Sequence, residues 1–302
     1  MSEAQDISNG LGGYRKGNSG LAPCPICQPE GRKDQRALSI KNSGGRTLLT
    51  CHKGGCKALD ILDKCKALGI ISGSGEGVQH SQADIETDQE EWQKKAAKNQ
   101  RYVDDIWSQS VVVTNTPAQA YLESRGIIGI QGQRMGKTLR YHPSLYHGQS
   151  KHKLPAMVAR IRGPKGQPMG IHRTYLKPDG SGKADVQGAK MMLGRASGGA
   201  VRFGKDNRVI AIAEGIETAL SLSMASRLTV WACLSTSGMK GLILPPMPTA
   251  EVIVIAADHD DAGLAAAETT AARFEAEGRA VSIITPQAKG ADFNDVLRGA
   301  GS

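Results

Sequence analysis

The C-terminal third of the chain alternates short apolar runs with longer helix-like stretches. Residues 209–213 and 251–257 are apolar runs of strand length, and each leads into a stretch with helical character. Residues 228–234 and 280–285 supply two further strand-like runs. Because strands that alternate with helices pair in parallel, residues 206–302 are predicted to form an α/β domain with a parallel sheet covered by helices.

The middle of the chain, residues 92–205, combines helical spacing with a pair of strands. Apolar residues recur at helical spacing over 92–113, and Pro117 begins a second short helix. Residues 155–176 have the pattern of strand, turn and strand around Gly163-Pro-Lys-Gly, which indicates a β-hairpin. We therefore expect a mixed α+β segment here.

The first 72 residues hold five of the six cysteines. Cys24 and Cys27 form a C-x2-C pair, and Cys51 and Cys56 form a looser pair after two strand-like runs. Two such turns joined by a hairpin place four thiolates around a tetrahedral zinc ion, so residues 1–72 are predicted to be a zinc-ribbon domain. With all four ligand positions filled, no place is left for a reacting water, and the zinc is expected to be structural.

Two details of this region leave alternatives open. His52, next to Cys51, offers a nitrogen ligand in place of one cysteine, although we favour four thiolates. Cys65 lies on a predicted helix over 58–68, where a small buried residue is the simpler interpretation. The Gly/Ser-rich start and polar remainder of residues 73–91 predict a flexible linker.

Charge is distributed unevenly along the 302 residues. Residues 111–205 carry 16 Lys and Arg against three acidic residues, a net charge of +13, whereas residues 206–302 carry a net charge of −5. A basic segment joined to an acidic one indicates that one part binds a polyanion while carboxylates of the other bind cations. Aromatic residues make up only 4% of the chain, so backbone electrostatics are expected to dominate nucleic-acid binding, with a steep salt dependence.

Acidic residues follow the predicted strands of the C-terminal sheet. Glu214 follows one strand, Asp258 and Asp260 follow another, and Asp292 follows the last. Ligand crevices of open α/β sheets lie at the carboxyl ends of the strands, so these side chains are expected to converge. Carboxylates that converge repel one another unless cations intervene, and hard oxygen ligands favour Mg²⁺ or Mn²⁺.

These motifs resemble those of the Toprim domain. Glu214-Gly-Ile-Glu-Thr is similar to the glutamate-glycine motif of that family, and Asp258-His-Asp-Asp-Ala-Gly is similar to its D-x-D motif. The resemblance implies that Glu214, Asp258 and Asp260 are catalytic and bind magnesium or manganese. Asp292, in Gly-Ala-Asp-Phe-Asn-Asp, resembles a later acidic motif and is a further candidate metal ligand.

The order of zinc ribbon, basic segment and Toprim domain resembles DnaG-like primases. Residues 92–205 look like the N-terminal part of their polymerase core, and 157–176 are similar to its basic hairpin. The resemblance implies primer synthesis: short RNA made on single-stranded DNA from nucleoside triphosphates. Five basic residues are predicted to bind template or nucleotide: Arg160, Arg162, Arg173, Lys177 and Lys190.

Two departures from the family pattern bear on partners and origin. The cysteines lack the common Cys-His-Cys-Cys form, and no helicase-binding domain follows, so any replicative helicase is expected to be a separate protein. This compact form looks most like primases of phages, plasmids or integrated elements.

Other functions of a Toprim protein stay open at this stage. A Toprim nuclease uses the same metals to cut DNA, and recombination mediators pair cysteine-bound zinc with Toprim as non-catalytic DNA-binding proteins. A topoisomerase needs a tyrosine nucleophile, and none of the six tyrosines lies in a catalytic setting. The chain has no apolar run long enough for a membrane span and no secretory signal, so we expect a cytoplasmic protein with no membrane partner.

Overall fold

The computed structural model describes residues 3–31, 36–43, 46–52, 54–71, 82–129 and 135–299. The chain divides into two compact units, Met1–Asp84 and Ile85–Ser302. Within the described ranges, no helix combines the length and the apolar character that a membrane span requires. The predicted boundary at residue 205/206 falls inside the second unit and stays a prediction.

The N-terminal unit is a four-stranded antiparallel sheet with helices on one face. The predicted strand pair and the helix near residue 58 are confirmed, while the first helix and the first two strands were not predicted. In the sheet each strand pairs with the next along the chain, and alternate strand residues such as Leu38 and Ile40 face the core with Ile7 and Ile61. The elements are α1 (Glu3–Gly10), β1 (Tyr14–Lys16), β2 (Ser19–Ala22), β3 (Leu38–Ser43), β4 (Arg46–Cys51) and α2 (Ala58–Ala67).

The next helix corrects the predicted linker. Helix α3 (Gln82–Gln109) begins within residues 73–91, so residues 82–91 are helical; residues 73–81 of that prediction lie outside the described residues. The Gly/Ser signal stops at residue 78, and residues 79–91 hold three Glu and three Gln, which have high intrinsic helix propensity. Polarity alone therefore did not distinguish a linker from a helix of polar composition.

The middle of the chain forms a second antiparallel sheet, in which the predicted hairpin supplies the two central strands. One face packs on Val103, Ile106 and Trp107 of α3, and the other on a helix that begins with Pro117. Pro143 lies in the first strand, which was not predicted, and the register shifts between His142 and Leu145. The elements are α4 (Pro117–Ser124), β5 (Leu139–His147), β6 (His152–Arg162), β7 (Pro168–Tyr175) and β8 (Lys190–Gly194).

The C-terminal sheet has five strands, four of them parallel as predicted. The elements are β9 (Val201–Phe203), β10 (Val209–Ala213), α5 (Ile216–Ser226), β11 (Thr229–Ala232), α6 (Thr236–Lys240), β12 (Val252–Ala256), α7 (Asp261–Ala276), β13 (Ala280–Ile284) and α8 (Phe293–Leu297). The strand order is β13-β12-β10-β11-β9, and β9 is an antiparallel edge strand. Ile210 and Ile212 pack into one core while Ala211 and Ala213 pack into another, which explains the continuous apolar run of β10.

Candidate functional site

Glu214 and Asp258 lie at the same edge of the C-terminal sheet. Glu214 follows β10 and Asp258 comes two residues after β12, and these neighbouring parallel strands are in register, with Ala213 opposite Ala256. Both carboxylates are half-buried. The structure thus brings the two predicted motifs together at the carboxyl edge, where open α/β sheets bind their ligands.

Asp260 and Asp292 join this edge as helix caps. Asp260 accepts a 2.7 Å hydrogen bond from the backbone N–H of Gly263 at the start of α7. Asp292 accepts from the N–H groups of Asn294 and Asp295 at 2.7 and 2.9 Å at the start of α8. Each cap uses one carboxylate oxygen, Oδ1, in the hydrogen bonds described, so each Oδ2 can face a ligand.

These carboxylates repel one another electrostatically, and the repulsion raises the pKa of two of them. Burial, followed by the negative charges of Asp292, Glu214 and Asp260, raises the pKa of Asp258 to about 7 against the opposing effect of Lys190. The pKa of Glu214 is also raised, first by burial and then by Asp260. Carboxylates that raise one another's pKa repel each other when they are ionised. A bound cation offsets this repulsion and stabilises the ionised forms.

The donor set fits a divalent cation that keeps other ligands. The Oδ1 atom of Asp258 is buried and has no hydrogen-bond partner among the described residues, so an acceptor with no donor faces the site. Within the described ranges, the four cysteines are the only group of three or more possible metal ligands whose ligand atoms all lie within 4.8 Å of one another. The carboxylates of Glu214, Asp258 and Asp260 are therefore farther apart than the thiols. Mg²⁺ is held in this way, by one or two carboxylates together with waters and substrate phosphates.

Gly263 allows the loop after β12 to close. A Cβ atom at this position would lie 2.5 Å from the carbonyl oxygen of Asp258 and 3.2 Å from Oδ1 of Asp260. No side chain fits there without moving the backbone. The glycine that ends the Asp258-His-Asp-Asp-Ala-Gly motif therefore has a steric basis.

Lys190 is the one predicted basic residue near the carboxylates, and it belongs to a cluster that sequence reasoning missed. Its ammonium group lies 3.5 Å from the carboxylate of Glu217, and that of Lys183 lies 3.8 Å from the same carboxylate. Glu217 is 5% exposed and accepts a 2.5 Å hydrogen bond from the hydroxyl of Tyr121. The only sequence signal was a second glutamate in Glu214-Gly-Ile-Glu-Thr, at a position that resembles an ordinary solvated helix residue.

The other predicted basic residues make local contacts. The guanidinium of Arg160 stacks on the Trp107 ring at 4.1 Å from the centroid, and Arg162 donates to the carbonyls of Gly166 and Lys137. Lys177 is paired with Asp185 at 3.1 Å.

Arg173 is only 7% exposed and donates to Tyr175 Oη and to the carbonyl of Met192, which strengthens the pairing of β7 with β8. The accessible part of its guanidinium is therefore small. A role of Arg173 in nucleic-acid binding stays a prediction.

The four predicted cysteines of the N-terminal unit form a compact thiol cluster. The Sγ atoms of Cys27 and Cys51 lie 3.5 Å apart, and all four Sγ atoms lie within 4.8 Å of one another. Tetrahedral zinc with Zn–S bonds of about 2.3 Å requires S···S distances of about 3.8 Å, so the donor set and the spacing fit this metal. Burial and neighbouring thiols raise the pKa of Cys27 to about 12 before any cation is bound.

The surroundings of the cluster favour the four-thiol set over a histidine ligand. Nε2 of His52 forms a 3.0 Å hydrogen bond with Oγ of Ser39, whereas Cys56 is part of the thiol cluster. The N–H of Gly54 donates to Cys51 Sγ at 3.4 Å, and a Cβ at Gly54 would lie 2.9 Å from Cys27 Cβ. Cys65 is fully buried on α2, as predicted.

Two family models match the chain. Residues 209–302 match the model described as Toprim domain, and residues 97–203 match the one described as Domain of unknown function (DUF7146). The C-terminal part is therefore a Toprim domain, and the fold class predicted from the sequence is confirmed, with the four-cysteine cluster ahead of it. No functionally curated protein matches the sequence.

Several solved primase structures are similar in fold. The zinc-binding and RNA polymerase domains of the Aquifex aeolicus primase match 100% of this chain and 83% of their own, with 15% identity and a TM-score of 0.46. The primase fragment of the bacteriophage T7 primase-helicase matches 93% of this chain and 95% of its own, with 14% identity and a TM-score of 0.41. The DnaG primase catalytic domain bound to ssDNA matches 70% of this chain and 78% of its own, with 14% identity and a TM-score of 0.45. At these identities and TM-scores the likeness carries no conclusion about the activity of this chain.

Proposed function

We propose that this protein is a DNA primase that synthesises short RNA on a single-stranded DNA template by metal-dependent nucleotidyl transfer. The observation that carries the proposal is the set of carboxylates from two neighbouring strand ends of a Toprim domain, one of which has a buried oxygen without a donor. Such a set needs cations, and cations between carboxylates and phosphates are the usual means of phosphoryl transfer.

Three carboxylates would hold the catalytic Mg²⁺ or Mn²⁺: Glu214, Asp258 and Asp260, with Asp292 beside them. When bound, the ions activate the attacking 3′-hydroxyl and offset the negative charge that develops on the leaving pyrophosphate. Asp258 would accept the cation through its unpartnered Oδ1, and the half-buried site restricts water around the reacting phosphates. Lys190 would contribute positive charge beside the same carboxylates.

The thiol cluster would hold a structural zinc ion. Four thiolates complete the coordination of the ion and leave no position for a substrate, so the metal would fix the loops that carry Cys24, Cys27, Cys51 and Cys56. Because a small unit buries little apolar surface, a metal that joins its loops contributes directly to its folding.

The N-terminal unit also offers a surface for single-stranded DNA. Tyr14 is 50% exposed, and the guanidinium of Arg36 lies 4.9 Å from its ring centroid. Tyr14, Leu21 and Ser39 are register partners on the face opposite the helices, and Lys41 shares that face by alternation. An exposed ring with basic neighbours is suited to stack a base and bind its phosphate, so this face would contact the template.

The basic middle segment would bind the template by charge. Its net charge of +13 supplies the long-range attraction, and Arg160 is held against Trp107 at one end of the antiparallel sheet. We propose nucleoside triphosphates as substrates and, from the resemblance alone, a helicase on a separate chain and an origin in a mobile element.

One assay separates this function from its rivals. The protein is incubated with single-stranded DNA, labelled ribonucleotides and Mg²⁺ or Mn²⁺, and the products are scored on a sequencing gel. A primase gives de novo oligonucleotides of a few residues, and Asp258→Ala/Asp260→Ala abolishes them. Shortened template without new product would identify a nuclease, and DNA binding with neither product would identify a non-catalytic DNA-binding protein.

A further inference from the structure

A buried carboxylate lies where two parts of the second unit meet. Glu217 belongs to α5 of the Toprim domain, and its three partners come from the preceding segment: Tyr121 from α4, Lys183 from the loop before β8, and Lys190 from β8. The positive charges of Lys190 and Lys183 and the hydrogen bond from Tyr121 outweigh burial, and they lower the pKa of Glu217 to about 2. Glu217 is therefore a fixed negative charge in the fold.

Two lysines carry more positive charge than is needed to neutralise the one carboxylate of Glu217. Burial of one carboxylate is compensated by one cation, yet two ammonium groups lie within 4 Å of Glu217 and repel each other. Their side chains are 39% and 44% exposed, so both lysines are accessible from solvent. Arg125 adds a third positive charge near Lys183. The cluster therefore presents net positive charge to the outside.

This positive charge lies beside Glu214. Lys190 approaches Oε2 of Glu217 at 3.5 Å, and a Cβ atom at Gly215, the residue directly after Glu214, would lie 3.8 Å from the same oxygen. A triphosphate bound through cations at the carboxylates of Glu214 and Asp258 extends its remaining phosphate oxygens beyond them. Paired ammonium groups next to the cation site are the complement of that charge.

Stability alone does not account for the arrangement. A buried ion pair contributes little net stability relative to apolar residues of the same volume, because desolvation of the charges offsets their attraction. The geometry instead fixes two flexible side chains, each of which would otherwise lose rotamer freedom on binding a phosphate.

We propose that Glu217, held by Tyr121, is a positioning residue that sets Lys183 and Lys190 side by side as a binding site for the phosphate groups of the incoming nucleoside triphosphate. This inference rests on the proposed function, because it assumes that the neighbouring carboxylates bind nucleotide through cations.

The test measures nucleotide binding without requiring synthesis. A fluorescent ribonucleoside triphosphate is titrated into the zinc-loaded protein with Ca²⁺ and no Mg²⁺, and the corresponding nucleoside is titrated as the phosphate-free probe. Glu217→Gln, which keeps the shape and loses the charge, is expected to weaken triphosphate binding about tenfold, because the two lysine side chains are then no longer fixed and lose rotamer freedom on binding the phosphates, and to leave nucleoside binding unchanged. Glu251→Gln removes a carboxylate that pairs with exposed Arg208 and serves as the matched control with unchanged affinity.

A double-mutant cycle shows whether Glu217 acts through the lysines. In a Lys183→Met/Lys190→Met protein, adding Glu217→Gln is expected to cause no further loss of triphosphate affinity. If Glu217→Gln weakens binding equally with and without the lysines, the positioning role is wrong.

Lysine reactivity provides a readout on the folded protein. Burial lowers the pKa of Lys183 and the Glu217 carboxylate opposes that shift, so Glu217→Gln is expected to increase acylation of Lys183 at pH 8, measured by mass spectrometry. A folded Glu217→Gln protein with unchanged triphosphate affinity and unchanged Lys183 reactivity overturns the inference. Absence of primer synthesis by a wild-type protein that shows these binding effects would overturn the primase assignment alone.

Discussion

The hydroxyl of Tyr121 donates a 2.5 Å hydrogen bond to the buried carboxylate of Glu217, a residue 96 positions further along the chain. The contact joins α4, which packs under the antiparallel sheet, to α5 of the Toprim domain. Tyr121 also belongs to the buried apolar cluster that contains Ile216 and Ala219 of α5. The two segments that the sequence placed in separate domains therefore share a polar contact as well as an apolar core.

Loss of this hydroxyl should destabilise the second unit. Tyr121→Phe leaves a buried carboxylate with one donor fewer, and a hydrogen bond to a charged group contributes about 1.5–3 kcal/mol. Urea unfolding of wild type and variant measures the difference. Tyr102→Phe removes a hydroxyl from a tyrosine that is 43% exposed and should change the free energy of unfolding by less than about 0.5 kcal/mol. Equal stability of Tyr121→Phe and wild type would contradict the buried contact.

Divalent metal binding at the carboxylates should depend on pH near neutrality. The folded-state pKa of Asp258 is raised to about 7, so below this pH a proton competes with the cation, and above it the carboxylate is free to bind. Mn²⁺ affinity of the zinc-loaded protein, followed by electron paramagnetic resonance, is expected to increase from pH 6 to pH 8 and then level off. Asp258→Asn should weaken Mn²⁺ binding and remove this dependence. If the affinity of the wild type for Mn²⁺ does not change between pH 6 and pH 8, the account of Asp258 as a ligand with a raised pKa is wrong.

The thiol cluster predicts one zinc ion per chain. Cys27→Ser and Cys56→Ser each remove a ligand, so both variants should contain much less than one equivalent of zinc by elemental analysis. The N-terminal unit of each variant should unfold at a lower temperature than that of the wild type. Cys65→Ala removes a buried thiol outside the four-cysteine set and should keep the full equivalent. Full zinc content in Cys56→Ser, together with loss in His52→Ala, would instead assign the fourth ligand to His52.

The exposed face of the N-terminal sheet predicts a contribution from base stacking. Tyr14→Ala should weaken binding to a short single-stranded DNA about tenfold, since stacking of one base on an aromatic ring contributes about 1–3 kcal/mol. Tyr14→Phe keeps the ring and should bind as wild type does. Fluorescence anisotropy at one fixed salt concentration measures both. If Tyr14→Ala and wild type bind equally, the template contacts another surface.

The carboxylate edge could be predicted from sequence because its determinants are local. β10 and β12 are each followed by an acidic residue within one or two positions, and these neighbouring parallel strands end together, so the positions of Glu214 and Asp258 followed from the topology. The cysteine pairs are equally local, because C-x2-C spacing defines half of the site by itself. A site can be predicted from the sequence when its residues follow directly on a strand or lie within one turn.

The polar cluster around Glu217 could not be predicted for the opposite reason. Its members come from four elements, and only the fold shows that a helix residue three positions after Glu214 is buried against Tyr121. Strand β5 escaped prediction because Pro143 disrupts its pattern, and the structure accommodates the proline at a register shift. Both the cluster around Glu217 and strand β5 depend on contacts between residues far apart in the sequence, which a local pattern does not show.

Diffraction from a crystal soaked with Mn²⁺ and a nonhydrolysable nucleoside triphosphate, recorded at the manganese absorption edge, tests the central claim most directly. We expect an anomalous peak about 2.2 Å from carboxylate oxygens of Asp258 and of Glu214 or Asp260, with the triphosphate on the side of Lys190. Carboxylates that face apart with no ion between them, or an ion bound only elsewhere, would contradict the assignment of this edge as the site of nucleotidyl transfer.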